Sequence, residues 1–166
     1  IVLLVNNLGF GQTTILSEDF ETDGDGTRYG VTGGFTDGDG DYFVRTNGTT
    51  VNKPSNLPSY NSQSSSFYFA AEDTEDGGNP NSDTSDVTFN DININGFTNI
   101  TIEGLFACGG KQKFDPNDYM HVYIDVDNTG TWTLIGAFEA DISTGSNSSN
   151  FGLDADLNGQ ADGPAY

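Results

Sequence analysis

Apolar residues in this chain recur at every second position and show no helical spacing, which restricts it to an all-β fold. The clearest segment is 119–127. There Met120, Val122, Ile124 and Val126 point one way and Tyr119, His121, Tyr123 and Asp125 the other. Asp127, Asn128, Thr129 and Gly130 then spell a hairpin turn, because Asn and Gly tolerate positive φ. Residues 131–140 return with Trp132, Leu134, Ile135 and Phe138. Shorter alternating stretches occupy 14–20, 41–46, 66–71, 87–94 and 99–107, with a parity change at Asn90 and Asp91 that predicts a bulge. The pattern predicts a two-sheet antiparallel β-sandwich of jelly-roll type.

A hydrophobic fraction of 34% is modest, but 12 Phe, 7 Tyr and 1 Trp bury enough area each to build a core. Between the expected strands lie crowded acids: 25 Asp and Glu against 5 Lys and Arg, a formal charge of −20. Self-repulsion of that size opposes compaction unless something screens it. It also excludes a nucleic-acid surface, which requires Lys and Arg. Flexible loops rich in oxygen donors suit Ca²⁺, which takes six to eight such ligands.

The strongest loop pattern is Asp154-x-Asp156-x-Asn158-Gly159-x-x-Asp162, with donors at positions 1, 3, 5 and 9 of an EF-hand-like loop and Gly at 6. Ala165 stands where the bidentate Glu of position 12 belongs. A second candidate joins Glu21, Asp23 and Asp25 to Glu72 and Asp73 at one edge of the sandwich. Asp37, Asp39 and Asp41 alternate with Gly and also spell an exposed turn, and Asp125 with Asp127 reads as hairpin geometry. These segments predict structural Ca²⁺.

Residues 1–11 resemble the end of a secretory signal, an apolar run (Ile1 to Val5) followed by small-x-small at Gly9, Phe10 and Gly11. The alternative is a first strand. Five apolar residues are too few for a membrane span, so no membrane insertion is expected. Residues 12–140 form the sandwich. Residues 141–166 are rich in Asp, Gly, Ser and Asn and show no final strand, so the sandwich is expected to lack its closing strand and the chain to continue into further domains. Cys108 is the only cysteine, which leaves no disulfide framework.

The stretches Leu16 to Glu21, Asp41 to Thr46, Phe67 to Asp73, Phe97 to Ile102 and Phe114 to Tyr119 resemble jelly-roll modules of secreted bacterial multidomain surface proteins. These are similar in architecture to MAM, laminin-G and carbohydrate-binding jelly rolls. The resemblance implies adhesion or glycan contact with structural Ca²⁺, and a closing Phe-Asp-Asn strand that this sequence does not contain.

No catalytic residues are assigned. His121 is the only histidine and sits mid-strand, and a carboxylate pair for glycoside hydrolysis carries no information among 25 acids. The exposed stripe of Tyr119, His121 and Tyr123, with Trp132, is the candidate ligand surface for a polysaccharide or cell-surface glycan. Tyr29, Tyr42, Tyr60 and Tyr68 serve either as stacking platforms or, more simply, as core. Arg28 and Arg45 are expected to pair with neighbouring carboxylates. The function predicted is a secreted, non-catalytic, calcium-stabilised adhesion or carbohydrate-binding module. Its rivals are an accessory part of a secreted polysaccharide-degrading enzyme or nuclease, and a spacer without ligand.

Overall fold

The computed structural model describes residues 12–37, 40–49, 51, 66–74, 84–107, 118–140 and 151–162. The signal-like run, Asp39, Tyr60, Cys108 and Ala165 lie outside them. The described residues are all-β with antiparallel sheets, as the sequence predicts and as a β-sandwich requires, with one 3₁₀ turn at Val126–Asn128. The chain divides into two compact units, Ile1–Lys53 with Ser62–Glu103, and Pro54–Asn61 with Gly104–Tyr166.

In the first unit, β1 (Gly30–Thr32) pairs with β5 (Asp86–Thr88), while β2 (Phe35–Thr36), β3 (Tyr42–Thr46) and β4 (Tyr68–Glu72) form a second sheet. Val31 lies opposite Val87, and Val44 opposite Ala70. Gly33 turns the chain from β1 to β2 at φ +70, a conformation glycine adopts without steric cost. Aromatic rings fill the interior. Phe20 meets Tyr29 edge-on at 5.4 Å and Phe69 at 5.9 Å; Phe69 meets Phe43 at 4.7 Å, and Tyr29 meets Phe89 at 6.0 Å. Tyr29 and Tyr42 are buried. Both therefore serve as core and not as stacking platforms.

Tyr29 is held by its own loop. Its hydroxyl donates to Asp23 and accepts the Gly24 N–H, each at 3.3 Å. A Cβ at Gly24 would lie 2.8 Å from the Arg28 guanidinium carbon and 2.9 Å from the Tyr29 ring. Arg28 can swing aside, but Tyr29 is wedged between two other rings. Gly24→Ala therefore lowers the unfolding free energy by about 2 kcal/mol, in the range of overpacking. Urea denaturation measures it, and an unchanged midpoint would show that the loop yields freely.

In the second unit, β6 (Tyr119–Ile124), β7 (Thr133–Ala140) and β8 (Phe151–Asp154) form an antiparallel sheet in that order. The turn between β6 and β7 is the predicted one, with Asp127, Asn128 and Gly130 all at positive φ. Ile135 is an extra residue: Tyr123 pairs with Leu134, but Val122 pairs with Gly136. This bulge shifts the remainder of β7 by one. Tyr119 then faces Glu139, His121 faces Ala137, and Phe138 lies on the opposite face against Phe106 at 5.2 Å.

Four segments depart from the sequence reading. Residues 14–20 and 99–107 alternate but make no strand, because alternation places side chains on two faces without supplying a hydrogen-bonded partner. Phe20 and Asn99 take φ of 60 and 58, which breaks extended geometry at those points. The parity change at Asn90 and Asp91 is not a bulge; β5 ends at Thr88 and Asp91 turns at φ 57. Finally, β8 is a strand within the segment read as having none.

Candidate functional site

Strand β8 delivers Asp154 to the start of a tightly wound loop. Leu157 and Gly159 adopt φ of 58 and 83, and the loop folds back over the Asp154 carboxylate until it is 1% exposed. Its Oδ1 accepts the N–H of Asn158 at 3.1 Å and its Oδ2 that of Gly159 at 2.8 Å. Asp162 returns to the same place. Its N–H donates to the Leu153 carbonyl at 3.0 Å, while its Oδ2 accepts the N–H groups of Ala155 at 2.7 Å and Asp156 at 3.2 Å. Asn158 Nδ2 donates to Asp156 Oδ2 at 3.0 Å.

The outcome is three carboxylate oxygens, one each from Asp154, Asp156 and Asp162, all within 4.8 Å of one another. Ligand oxygens at about 2.3–2.6 Å from Ca²⁺ span roughly that distance across the ion. The donor set and its spacing therefore fit a hard divalent cation. Burial acts to raise the Asp154 pKa, but the N–H groups of Gly159 and Asn158, with Asp156 and Leu157, outweigh it and hold the carboxyl below its usual range. The buried member is thus an anion at neutral pH.

The turn at Asp125 uses the same offsets. Its two oxygens accept the N–H of Thr129 at 3.0 Å and of Gly130 at 2.8 Å, with the Thr129 hydroxyl adding a third bond. Its carboxyl is likewise held low, these bonds outweighing desolvation. Here the carboxylate builds a hairpin, as its spacing implies.

Among the described residues, the Asp154, Asp156 and Asp162 group is the one set of three or more converging carboxylate, imidazole or thiolate ligands. Glu21, Asp23, Asp25, Glu72 and Asp73 do not form such a set. The Glu21 carboxylate accepts the N–H groups of Ser66 and Phe67, the latter at 2.7 Å. Asp23 accepts the Asp25 N–H at 3.1 Å, which lowers its pKa against opposing desolvation. Asp25 accepts the Val31 N–H at 3.0 Å. Glu72 is pushed up by burial and by the charge of Asp73, against a hydrogen bond from Tyr42.

Arg28 pairs with Glu18 at 2.7 Å, as expected of it. Among the described residues, Arg45 makes no ion pair with a carboxylate. It donates to the carbonyls of Phe20 and Glu21 and lies 3.9 Å over the Phe67 ring.

The predicted ligand stripe lies along one face of β6. Tyr119 and Tyr123 are 53% and 48% exposed, and Tyr119 stacks on His121 at 4.2 Å between centroids. His121 Nε2 lies 2.6 Å from Glu139 on β7, and Nδ1 lies 3.1 Å from the Tyr123 hydroxyl. Trp132 is 56% exposed just before β7 and, among the described residues, makes no ring contact with the stripe. Glu139 was not singled out from the sequence. The diagonal neighbour of His121 depends on the bulge at Ile135, and without it Phe138 would hold that place.

No family model, curated protein or solved structure matches this chain.

Proposed function

We propose that this chain is a calcium-stabilised, non-catalytic binding module of an exported surface protein, holding a polysaccharide or cell-surface glycan on the aromatic stripe of β6. The observation that carries the proposal is the convergence of Asp154, Asp156 and Asp162, with Asp154 buried as an anion. Packing three carboxylates together is costly unless a cation lies among them. The Ca²⁺ in turn fixes the loop that follows β8, and β8 is hydrogen-bonded to β7 beside the stripe. The bacterial jelly-roll resemblance and the signal-like run at residues 1–11 support export and attachment to further domains.

Two exposed tyrosines flanking a half-buried histidine suit sugar recognition, because a pyranose presents an apolar C–H face to a ring and hydroxyls to polar groups beside it. The wild-type chain is retained on immobilised polysaccharide, and Tyr119→Ala with Tyr123→Ala abolishes retention while the thermal midpoint is kept. Trp132→Ala tests whether that separate ring contributes. Turnover of the polysaccharide would move the reading to an enzyme's accessory part. No retention and no turnover would leave a spacer.

A further inference from the structure

The hydrogen bonds around His121 form one uninterrupted chain, Glu139 to Nε2 at 2.6 Å and Nδ1 to the Tyr123 hydroxyl at 3.1 Å. The side chains of His121 and Glu139 are 18% and 13% exposed, so water competes weakly for their contact, whereas Tyr123 stands at the solvent end. An ionised carboxylate only accepts, so Nε2 carries a hydrogen. In the neutral imidazole Nδ1 is then a bare acceptor, and the Tyr123 O–H turns inward to donate to it. Outward, that hydroxyl offers lone pairs alone. When the imidazole takes a second proton, Nδ1 becomes a donor, the tyrosine oxygen accepts, and the tyrosine hydrogen turns outward.

We infer that Glu139, His121 and Tyr123 are a proton-driven relay that reverses the hydrogen-bonding sense of the stripe, shifting its preference from neutral glycans toward carboxylate-bearing, uronate-type glycans as the medium acidifies. The ligand half of this inference rests on the sugar reading above; the relay itself rests on the two contacts. A sugar hydroxyl donates to the outward lone pairs in the neutral state. A uronate carboxylate, which only accepts, requires the outward O–H of the protonated state. Local charge works in the same direction, since the imidazolium neutralises Glu139 and removes repulsion of an anionic sugar. Among the described residues, the titratable groups set against the imidazole are Tyr119 and Tyr123 from β6 and Glu139 from β7. On the far side of β7, β8 places Gly152 opposite Glu139 and the carboxylate-bearing Asp154 opposite Ala137, the residue that itself pairs with His121, so Asp154 is the further charged group on this face.

His121 is the only histidine, so every imidazole signal in the full chain belongs to it. Nitrogen-15 NMR reads the relay without ligand: the neutral form carries its hydrogen on Nε2, and a hydrogen on Nδ1 instead overturns the relay. Binding is then compared for an oligogalacturonate and an uncharged galactose oligomer from about pH 8 to about pH 5, where imidazoles change charge. The affinity ratio moves toward the uronate by about fivefold, the worth of one net hydrogen bond. It follows the imidazole titration. Tyr123→Phe keeps the imidazole but has no hydroxyl to reverse, and loses most of the shift. A flat ratio in the wild type, or an equal shift in Tyr123→Phe, overturns the inference. Failure of both sugars to bind at any pH overturns the sugar reading, and the ligand-free spectrum distinguishes that from failure of the relay.

Discussion

Replacing Arg45 with alanine lowers the unfolding free energy by about 3 kcal/mol. Its guanidinium donates to two consecutive carbonyls, Phe20 and Glu21, and covers the Phe67 ring. Hydrogen bonds from a charged donor contribute about 1.5–3 kcal/mol each and the cation–π contact about 0.5–1 kcal/mol, discounted here because part of the group is wet. Phe20 is held at φ 60, a conformation that costs a non-glycine residue about 1–2 kcal/mol and persists only under such restraint. Glu21 reinforces the same point by accepting the N–H groups of Ser66 and Phe67, 45 and 46 residues along the chain. Arg45→Lys recovers less than half of the loss, since one ammonium cannot reproduce the fork. Urea denaturation separates the three proteins, and an alanine variant as stable as wild type would show the clasp to be idle.

Calcium is expected to produce the second large effect. At a hundredfold excess over its dissociation constant, one ion bound to the native state adds about 2.7 kcal/mol. For a chain of this size that raises the thermal midpoint by about 5–10 °C. Extracellular modules hold Ca²⁺ with constants of about 10⁻⁴–10⁻³ M, so that excess corresponds to about 10–100 mM Ca²⁺. Asp154→Asn keeps the side-chain shape but replaces an anion that receives two N–H groups by an amide that can satisfy only one of them. The variant loses the calcium response. The pH dependence follows from the lowered Asp154 pKa. Its stabilising contribution is complete above the unfolded aspartate value and disappears as pH falls through the lower folded value, and calcium binding weakens over the same acid range.

The strands that were legible in the sequence are those with long alternation and a turn chemistry to fix their pairing. Residues 119–140 show both, and β6, the positive-φ turn and β7 follow. The strands β1, β2 and β8 have two to four residues, too few for period two to stand out, and Gly152 interrupts the last of them. Alternation at 99–107 misled for the opposite reason: Ile102 and Leu105 remain 60% and 72% exposed, with no partner strand among the described residues.

The same distinction governs the site. The loop from Asp154 to Asp162 was readable because its ligands lie within nine consecutive positions, so spacing alone predicts convergence. The Glu21 and Glu72 group required residues about 50 apart to meet. Asp23 and Asp25 instead accept backbone N–H groups two and six residues away, Glu21 accepts those of Ser66 and Phe67, and Glu72 sits in the edge strand β4. Glu139 was hidden by a single inserted residue, Ile135, which no local pattern announces.

Calorimetric titration of Ca²⁺ into the wild-type chain and into Asp154→Asn decides whether a divalent cation holds Asp154, Asp156 and Asp162 together. Saturable binding with a constant of about 10⁻⁴–10⁻³ M is expected in the wild type, and its loss in the variant. No binding heat in the wild type, or equal binding by the two proteins, would contradict a cation held there.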